Sequence, residues 1–476
     1  MKNFQFDNKK VAVLGMGIEG LALVDFLLDK ACKITILDRS SEVELLEKLS
    51  GEEKTKFDQI IKNNNIDKVL GDDYMENLGP FDIIFRSPGI SYYNSKIQDA
   101  KKSGTLISSQ IKLFFDLCPC KIIGVTGTKG KGTTASLIYE ILKKNKEEQP
   151  NSQQNIYLAG NIGYPAITLI PKLKNDDVVI LELSSFQLMD LEKSPHVAVV
   201  TNLSVDHLDY HRDVEEYRGA KESIVKYQDK KDFAILNRNS TFNSSVLELI
   251  KSSIKYFPNQ NKDDAIISNN SVILDPENRN IKICDKSGIE LFGNHNLENI
   301  AAAVLASDLL RINTETIKKV VSGFKGLPHR IEFVNTISGV KFVNDSFATN
   351  PEPTMAAIAS FVENKILILG GSKKGANFSS LAQKICNSNI KGVVLIGDES
   401  KSIEQALIAS SYSGIIKKGL SDIDKIVGAA FEIASKGDVV ILSPACASFG
   451  LFKNYKDRGE KFKDAVLKLK INYESS

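Results

Sequence analysis

The sequence predicts an α/β protein with an N-terminal Rossmann-like domain, a central P-loop-type ATPase sheet and a C-terminal Rossmann-like domain. Three observations predict it. Short apolar runs alternate with helix-period stretches along most of the chain, the pattern of a mostly parallel sheet. Glycine-rich turns follow the first strand and the strand near Ile122, and each opens a helix-like stretch. The length, 476 residues, exceeds a single core, and about 150 residues per domain gives three.

The first segment, residues 1–109, opens with a strand at Lys10–Leu14 and the turn Gly15-Met16-Gly17-Ile18-Glu19-Gly20. A helix-period stretch, Leu21–Leu28, leads to a strand at Lys33–Leu37 that ends on Asp38. A G-x-G-x-x-G turn inside a βαβ unit, with an acid about 20 residues on, is a dinucleotide-type pattern. A further strand, Phe81–Phe85, ends at Ser87-Pro88-Gly89.

The second segment, residues 110–326, begins with the apolar residues Ile122, Ile123 and Val125, which run into Gly127-Thr128-Lys129-Gly130-Lys131-Gly132-Thr133. A helix over Thr134–Lys144 follows. Strand, turn and helix in that order make a phosphate site of a Gly-Lys pair: loop amides, a helix N-terminus and the Lys131 charge all favour an anion. The strict loop is G-x-x-x-x-G-K-[ST], and here Val125 and Gly132 depart from it. Later strands are Val178–Leu183, ending in Glu182-Leu183-Ser184-Ser185-Phe186-Gln187, and Val197–Leu203, ending near Asp206-His207. The polar run at 143–155 reads as an exposed loop. Residues 240–290, rich in Asn, Ser and Lys, carry β-like runs at Ser271–Leu274 and Ile281–Cys284 and read as an excursion from the sheet. A helix over Asn299–Leu310 returns to it.

The third segment, residues 327–476, has strands at Val340–Asn344, Lys365–Leu369, Val393–Ile396 and Val439–Leu442, with helix-period stretches between them.

Composition narrows the function. Apolar residues make up 42% and charged residues 25%, as in a soluble globular protein. Lys and Arg number 61 against 59 Asp and Glu, which gives no electrostatic case for nucleic acid. No apolar run approaches the roughly 20 residues that span a bilayer. The polar N-terminus runs straight into a strand, so a cytoplasmic protein without a signal peptide is expected. The six cysteines are scattered and read as reduced thiols; Cys118-Pro119-Cys120 lacks a second half for a zinc site.

In open α/β sheets, ligands bind at the carboxyl ends of strands. The residues gathered there are Lys131 with its loop; Glu182, Ser184 and Gln187; His207 and Asp209; Asp345 and Thr349; Lys373 and Lys374; and Ser443–Ser448. A carboxylate ending an apolar strand, as Glu182 does, is costly to bury unless paired or on a metal. Lys221, within Tyr217-Arg218-Gly219-Ala220-Lys221, reads by default as a surface helix lysine. His295 reads as a brace at a helix start.

Together these residues resemble the Mur ligases. The likeness is carried by Thr126–Thr134, Gly160-Asn161-Ile162-Gly163, Glu182–Gln187, Asp206–Asp209, Tyr217–Lys221 and Gly293-Asn294-His295-Asn296. It continues through Leu327–Arg330, Asn344–Asn350, Ser443–Ser448 and Tyr455–Gly459, in family order over nearly the whole chain. Glu-Leu-Ser-Ser-Phe-Gln with Ser-Pro-Ala-Cys-Ala-Ser resembles the glutamate-adding branch.

The resemblance implies an ATP-dependent amide ligase that joins D-glutamate to UDP-N-acetylmuramoyl-L-alanine through an acyl phosphate. It implies that Gly127, Thr128, Lys129, Gly130, Lys131, Gly132 and Thr133 cradle ATP, and that Asn296, Arg330 and Asp345 also contact it. Mg²⁺ is expected on Glu182, His207, Thr133 and a carbamylated Lys221, with Lys131, Lys221, His207 and Asp345 as the catalytic set. Gly17, Ile18, Asp38, Ser87, Asn161, Ser184 and Gln187 are expected to meet the nucleotide substrate. Thr349, Lys374, Ser448 and Tyr455 are expected to grip glutamate, and a monomer is the family default.

Several positions depart from the family pattern. Gly132 stands where the loop usually has a hydroxyl, Lys129 where asparagine is usual, and Phe347 where lysine is usual. Glu19 would repel a diphosphate if it faced one, and Arg39-Ser40 differ from the usual pair after the aspartate. Three alternatives therefore stand beside the ligase: the same chemistry with L-glutamate, an inactive nucleotide-binding module, and an NAD-dependent oxidoreductase resting on Gly15–Gly20 and Asp38.

Overall fold

The computed structural model describes residues 5–49, 51–203, 212–240, 247–248, 250–258, 264–275, 279–373, 376–448 and 450–474. The chain divides into two compact units: Met1–Asp285 with Leu297–Val321, and Lys286–Asn296 with Ser322–Ser476.

The first unit begins with β1 (Lys10–Leu14), α1 (Ile18–Leu27), β2 (Lys33–Asp38), α2 (Glu42–Lys48), α3 (Gly51–Lys62), β3 (Ile66–Leu70), β4 (Ile83–Arg86), α4 (Ser95–Lys102), β5 (Leu106–Ser108) and α5 (Gln110–Leu117). Its strands form a parallel sheet in the order β3-β2-β1-β4-β5. The order reverses beside β1, which opens a crevice at the carboxyl ends of β1 and β4. One face buries Val11, Val13, Ile34 and Ile36 under the helices, and the other buries Ala12, Leu14, Leu37 and Ile84. Burial on both faces explains why these strands read as continuous apolar runs.

The unit continues with β6 (Lys121–Thr126), α6 (Lys131–Glu147), β7 (Ile156–Gly160), β8 (Val178–Glu182), α7 (Ser185–Leu188), β9 (Val197–Val200), α8 (Val214–Lys226), β10 (Phe233–Asn237) and β11 (Ser253–Phe257). A second parallel sheet runs β11-β10-β9-β6-β8-β7, with β6 at the point where the order turns. The excursion is a small antiparallel sheet of β12 (Ala265–Ser268), β13 (Ser271–Leu274) and β14 (Ile281–Asp285). Then follow α9 (His295–Leu309) and α10 (Thr314–Gly323).

The two sheets of this unit are tied by a buried ion pair. The Arg86 guanidinium donates to Asp190 at 3.0 Å and to the Phe186 carbonyl at 3.2 Å. Both charges are out of water, so loss of either partner would strand the other.

Two expectations are corrected here. The helix after the phosphate loop starts at Lys131, not Thr134, so Lys131, Gly132 and Thr133 form its first turn. It also runs on to Glu147, so the start of the polar run at 143–155 is helix rather than loop. Its exposed lysines and glutamates are good helix formers, and a Lys144–Glu147 pair lies one turn apart.

The second unit holds β15 (Glu332–Ile337), β16 (Val340–Asn344), α11 (Pro351–Ala359), β17 (Lys365–Gly370), α12 (Ser379–Cys386), β18 (Ile390–Ile396), α13 (Ser400–Ala409), β19 (Ile415–Lys417), α14 (Ile423–Ile433), β20 (Val439–Leu442) and α15 (Tyr455–Glu474). Its sheet runs β15-β16-β20-β17-β18-β19, parallel except for the β15–β16 hairpin. Apolar clusters fill both faces. Among the described residues no helix is long and apolar enough to cross a membrane.

Candidate active site

The expected residues fall into two groups, one on each unit. In the first unit, β6 delivers the chain to Gly127 and Gly130, which have φ of +146° and +85°. A Cβ on Gly127 would sit 2.0 Å from Thr201 Oγ1, and one on Gly130 would sit 2.1 Å from Asn299 Oδ1. Conformation and space both require glycine there.

The loop is held from below. Thr128 N donates to the Asn202 carbonyl at 2.8 Å, Lys129 N to Asn202 Oδ1 at 3.0 Å, and Thr201 Oγ1 to the Lys129 carbonyl at 2.6 Å. Among the described residues no side chain caps α6 at Gly130. Its first-turn amides thus remain directed at an incoming anion. Lys131 Nζ donates to the Gly127 carbonyl at 2.9 Å and to the Thr128 carbonyl at 3.1 Å.

Lys221 reaches the same loop from α8. Asp213 caps that helix by accepting from Glu216 N at 2.8 Å, and Glu215 and Glu216 favour its positive end. Tyr217, Ala220, Ile224 and Val225 form its buried face. Lys221 lies on that face, 2% exposed, so its default reading as a surface lysine is overturned. Its Nζ donates to the Gly127 carbonyl at 2.9 Å and lies 4.9 Å from the Tyr217 ring centre. The Tyr217 hydroxyl in turn is 2.9 Å from Thr128 Oγ1.

Glu182 ends β8 beside Val125 of β6. It is 4% exposed. One oxygen accepts from Asn161 Nδ2 at 2.9 Å; the other, Oε2, meets no hydrogen-bond donor among the described residues. A buried carboxylate oxygen left without a donor is costly, and a hard cation is the usual complement. Mg²⁺ fits this oxygen. His207 and Asp209, expected beside it, lie outside the described residues, and among those described no cluster of three metal-ligating side chains occurs.

The crevice of the first sheet places the remaining residues of this group. Asp38 accepts from Met16 N at 2.6 Å and Ser40 N at 2.7 Å, bracing the turn that carries Gly17 and Ile18. Ser87 Oγ donates to the Gly15 carbonyl at 3.0 Å. Ser184 and Gln187 cap α7 reciprocally: each accepts from the other's backbone amide, at 3.3 and 3.0 Å. Gln187 Nε2 also donates to Glu19 at 2.6 Å, so Glu19 is turned towards Gln187. Burial raises the Glu19 pKa, against the lowering influence of Gln187 and Arg86.

The second group is built on one buried acid. Asp345 follows β16, and its carboxylate accepts from Ser443 Oγ at 2.7 Å and Ile331 N at 3.2 Å. Burial pushes its pKa up to about 7 against the opposing hydrogen bonds and the Arg330 and Arg458 charges. Arg458, fully buried, donates to Ser346 and to the Cys446 carbonyl, and burial pulls it down to about 10. Around the acid, the Arg330 guanidinium lies 4.6 Å from the Phe347 ring centre, and Phe347 meets Tyr455 edge-on at 5.1 Å. Thr349, Asn350, Ser372, Glu399 and Cys446 line a cleft of about 160 Å³. Ser448 is buried near the end of the same loop, and Lys374 lies outside the described residues.

Three family profiles match the chain: the Mur ligase MurD-like N-terminal domain over residues 9–109, the Mur ligase middle domain over 125–307, and the Mur ligase glutamate ligase domain over 329–446. Two similar proteins are named UDP-N-acetylmuramoylalanine--D-glutamate ligase. That of Acetivibrio thermocellus is 40% identical over 466 residues and 96% of each chain. That of Clostridium tetani is 37% identical over 472 residues and 97% of each chain.

The chain belongs to the Mur ligase family.

Solved Mur ligases share its fold at low identity. UDP-N-acetylmuramate-alanine ligase MurC of Thermotoga maritima has a TM-score of 0.55 at 16% identity, covering 97% of this chain and all of that one. MurF ligase of the same organism, solved in complex with ADP, has a TM-score of 0.53 at 18% identity, covering 98% of this chain and 96% of its own.

Within this Mur ligase, sequence reasoning missed several loop neighbours. Asn299 sits against Gly130, and its carbonyl accepts from Thr134 Oγ1 at 3.5 Å. Asn296, expected at ATP, donates to the Phe292 carbonyl at 2.6 Å. The spacing from His295 to Asn299 within one helix was the available signal. Thr201 and Asn202 carried no motif of their own, because their contacts to the loop arise between segments distant in sequence.

Proposed function

We propose that this Mur ligase joins D-glutamate to UDP-N-acetylmuramoyl-L-alanine with cleavage of ATP to ADP and phosphate, making a peptidoglycan precursor. Residues 1–109 bind the nucleotide sugar, 110–326 bind ATP and 327–476 bind glutamate. The observation that carries the reading is the set at the adjoining ends of β6 and β8: a glycine-shaped loop, two lysines on its carbonyls, and a Glu182 oxygen without a donor among the described residues. The amino acid and its acceptor follow from the names of the relatives.

Phosphoryl transfer needs position and positive charge more than covalent help. The first-turn amides of α6 and the Lys131 ammonium take the phosphates. An oxygen of the alanyl carboxylate attacks the γ-phosphorus, ADP leaves, and an acyl phosphate forms. The glutamate amine then attacks the acyl carbon, loses a proton and expels phosphate, leaving the amide. Addition of CO₂ to the neutral Lys221 amine, with loss of one amine proton to solvent, gives a carbamate, an oxygen ligand where an ammonium has none. Glu182, His207 and that carbamate would hold Mg²⁺, which would supply positive charge at the phosphate oxygens. Asn296, Arg330 and Asp345 contact ATP; Thr349, Lys374, Ser448 and Tyr455 grip glutamate.

The test incubates the protein with ATP, Mg²⁺, UDP-N-acetylmuramoyl-L-alanine and each glutamate enantiomer. Phosphate release and the product mass are measured. Turnover with D-glutamate alone is expected. Turnover with L-glutamate alone moves the reading to the other enantiomer, and silence with both in an ATP-binding protein makes it an inactive module. Lys221→Ala should lose activity and recover part of it with added short-chain carboxylates; full activity without them would refute the carbamate.

A further inference from the structure

The joint between the two parallel sheets of the first unit carries a pair of thiols that the ligase reaction does not use. Helix α5 ends at Leu117 and β6 begins at Lys121; between them stand Cys118, Pro119 and Cys120. The two sulfurs are 3.5 Å apart and share a hydrogen bond. The Cys118 amide donates to the Phe114 carbonyl at 2.8 Å, which anchors one end of the pair to the helix. Pairing of Lys121 with Val178 anchors the other end to the sheet. Proline between them fixes one backbone torsion and restricts the residue before it, so the two sulfurs are held to one side of a short, stiff bridge. Cys120 is buried in the core of the second sheet, whereas Cys118 packs against that core half-buried.

We propose that Cys118 and Cys120 form a dithiol modification site, closed reversibly to a disulfide by low-molecular-weight disulfides. The chemistry divides between the two sulfurs. The hydrogen bond from its neighbour holds the Cys118 thiol below its ordinary pKa, while the same bond and burial push Cys120 up. Cys118 is therefore the attacking thiolate, and as the less buried residue of the two it is the one the reagent meets first. It attacks one sulfur of the external disulfide, forming a mixed disulfide and releasing one thiolate. Cys120 then gives its proton to solvent and attacks Cys118 Sγ, releasing the second thiolate. Two protein thiols are oxidised, and one external disulfide is reduced to two thiols. Closure needs the sulfurs to approach from 3.5 Å to about 2.05 Å. Among the described residues the other four cysteines meet no sulfur partner: Cys284 and Cys446 are buried, and Cys32 and Cys386 are half-buried and far apart in the chain.

The test treats the native, full-length protein with oxidised glutathione, alkylates the remaining thiols and maps the peptides by mass. A two-hydrogen loss on the peptide holding Cys118 and Cys120, restored by dithiothreitol, is expected. In the same digest Cys284 and Cys446 should be fully alkylated. The C120S variant should keep a glutathione adduct on Cys118, and C118S should leave Cys120 unmodified. A stable adduct on wild-type Cys118 without closure would overturn the proposal, as would a pair that stays reduced while Cys32 or Cys386 reacts. The wild-type measurement decides the matter even if neither variant folds.

Discussion

The loop at Gly127–Lys131 and the acid at Asp345 sit at equivalent places, each just past a strand in a parallel sheet, yet they are built from different materials. The first is mainly backbone: glycine torsions, helix amides and loop carbonyls, with Lys131 and Lys221 laid over them. The second is mainly side chain: a buried carboxyl on Ser443, a buried arginine, and an Arg330–Phe347–Tyr455 stack. A backbone site has a shape dictated by local sequence and tolerates little change. A side-chain site can be rebuilt, and there Phe347 departs from the family pattern without leaving Arg330 unsupported.

The sharpest way to break this contrast is to remove charge from the backbone site. Lys131→Ala leaves the loop torsions intact, and kcat/KM for ATP should fall by about 10³-fold, in the range for a key phosphoryl-transfer cation. A loss under tenfold in a phosphate-release assay would place the essential charge elsewhere. Lys129, at the exposed tip of the loop, is the first residue to try next.

The shape of the loop comes second. Gly127→Ala adds a Cβ 2.0 Å from Thr201 Oγ1 at a torsion of +146°. Strain of about 1–3 kcal/mol is expected, which is on the order of a tenfold or greater rise in the ATP dissociation constant. Calorimetric titration measures it, and unchanged affinity would mean that the loop reshapes freely.

In the side-chain site the expected effect is on stability and its pH dependence. The folded Asp345 pKa, about 7, lies above the ordinary 3.8, so the native state holds its proton more tightly than the unfolded state. The stabilisation is complete below about pH 4 and is lost as pH rises towards 7. Asp345→Asn removes that slope. Between pH 5 and pH 8 the wild type should lose on the order of a kcal/mol or more relative to the variant, read as the difference in denaturation midpoints. Parallel curves would show that the carboxyl ionises normally.

The smallest effect is expected at Phe347. Phe347→Leu removes the ring under Arg330, an interaction of about 0.5–1 kcal/mol at a partly exposed site. KM for ATP should rise about two- to fivefold with kcat little changed. A large fall in kcat instead would give the ring a role beyond supporting Arg330.

These two sites also divide what could be read in advance. The βαβ turn at Gly15–Gly20, the loop at Gly127–Lys131 and Glu182 at a strand end were legible, because each signal lies within a few residues and reflects local torsion, period or charge. The start of α6 was misread by three residues, since Lys131 to Thr133 look like loop by composition. Lys221 gave the wrong default because the burial of a helix face depends on what packs against it. The place of Asn299 against Gly130 was not read in advance, because only packing brings that helix to the loop.

The amino-acid sequence by itself determined the alternation of strands and helices, the glycine-shaped phosphate loop and the family motifs, since all of these rest on short-range sterics and on periodicity. Only the tertiary structure decided that Lys221 lies buried on the Gly127 carbonyl and that one Glu182 oxygen meets no hydrogen-bond donor among the described residues. It alone turned Glu19 to Gln187 and brought Cys118 to within 3.5 Å of Cys120. The reason is physical: burial and the pairing of polar groups are set by which distant segments meet, and no local pattern encodes that meeting.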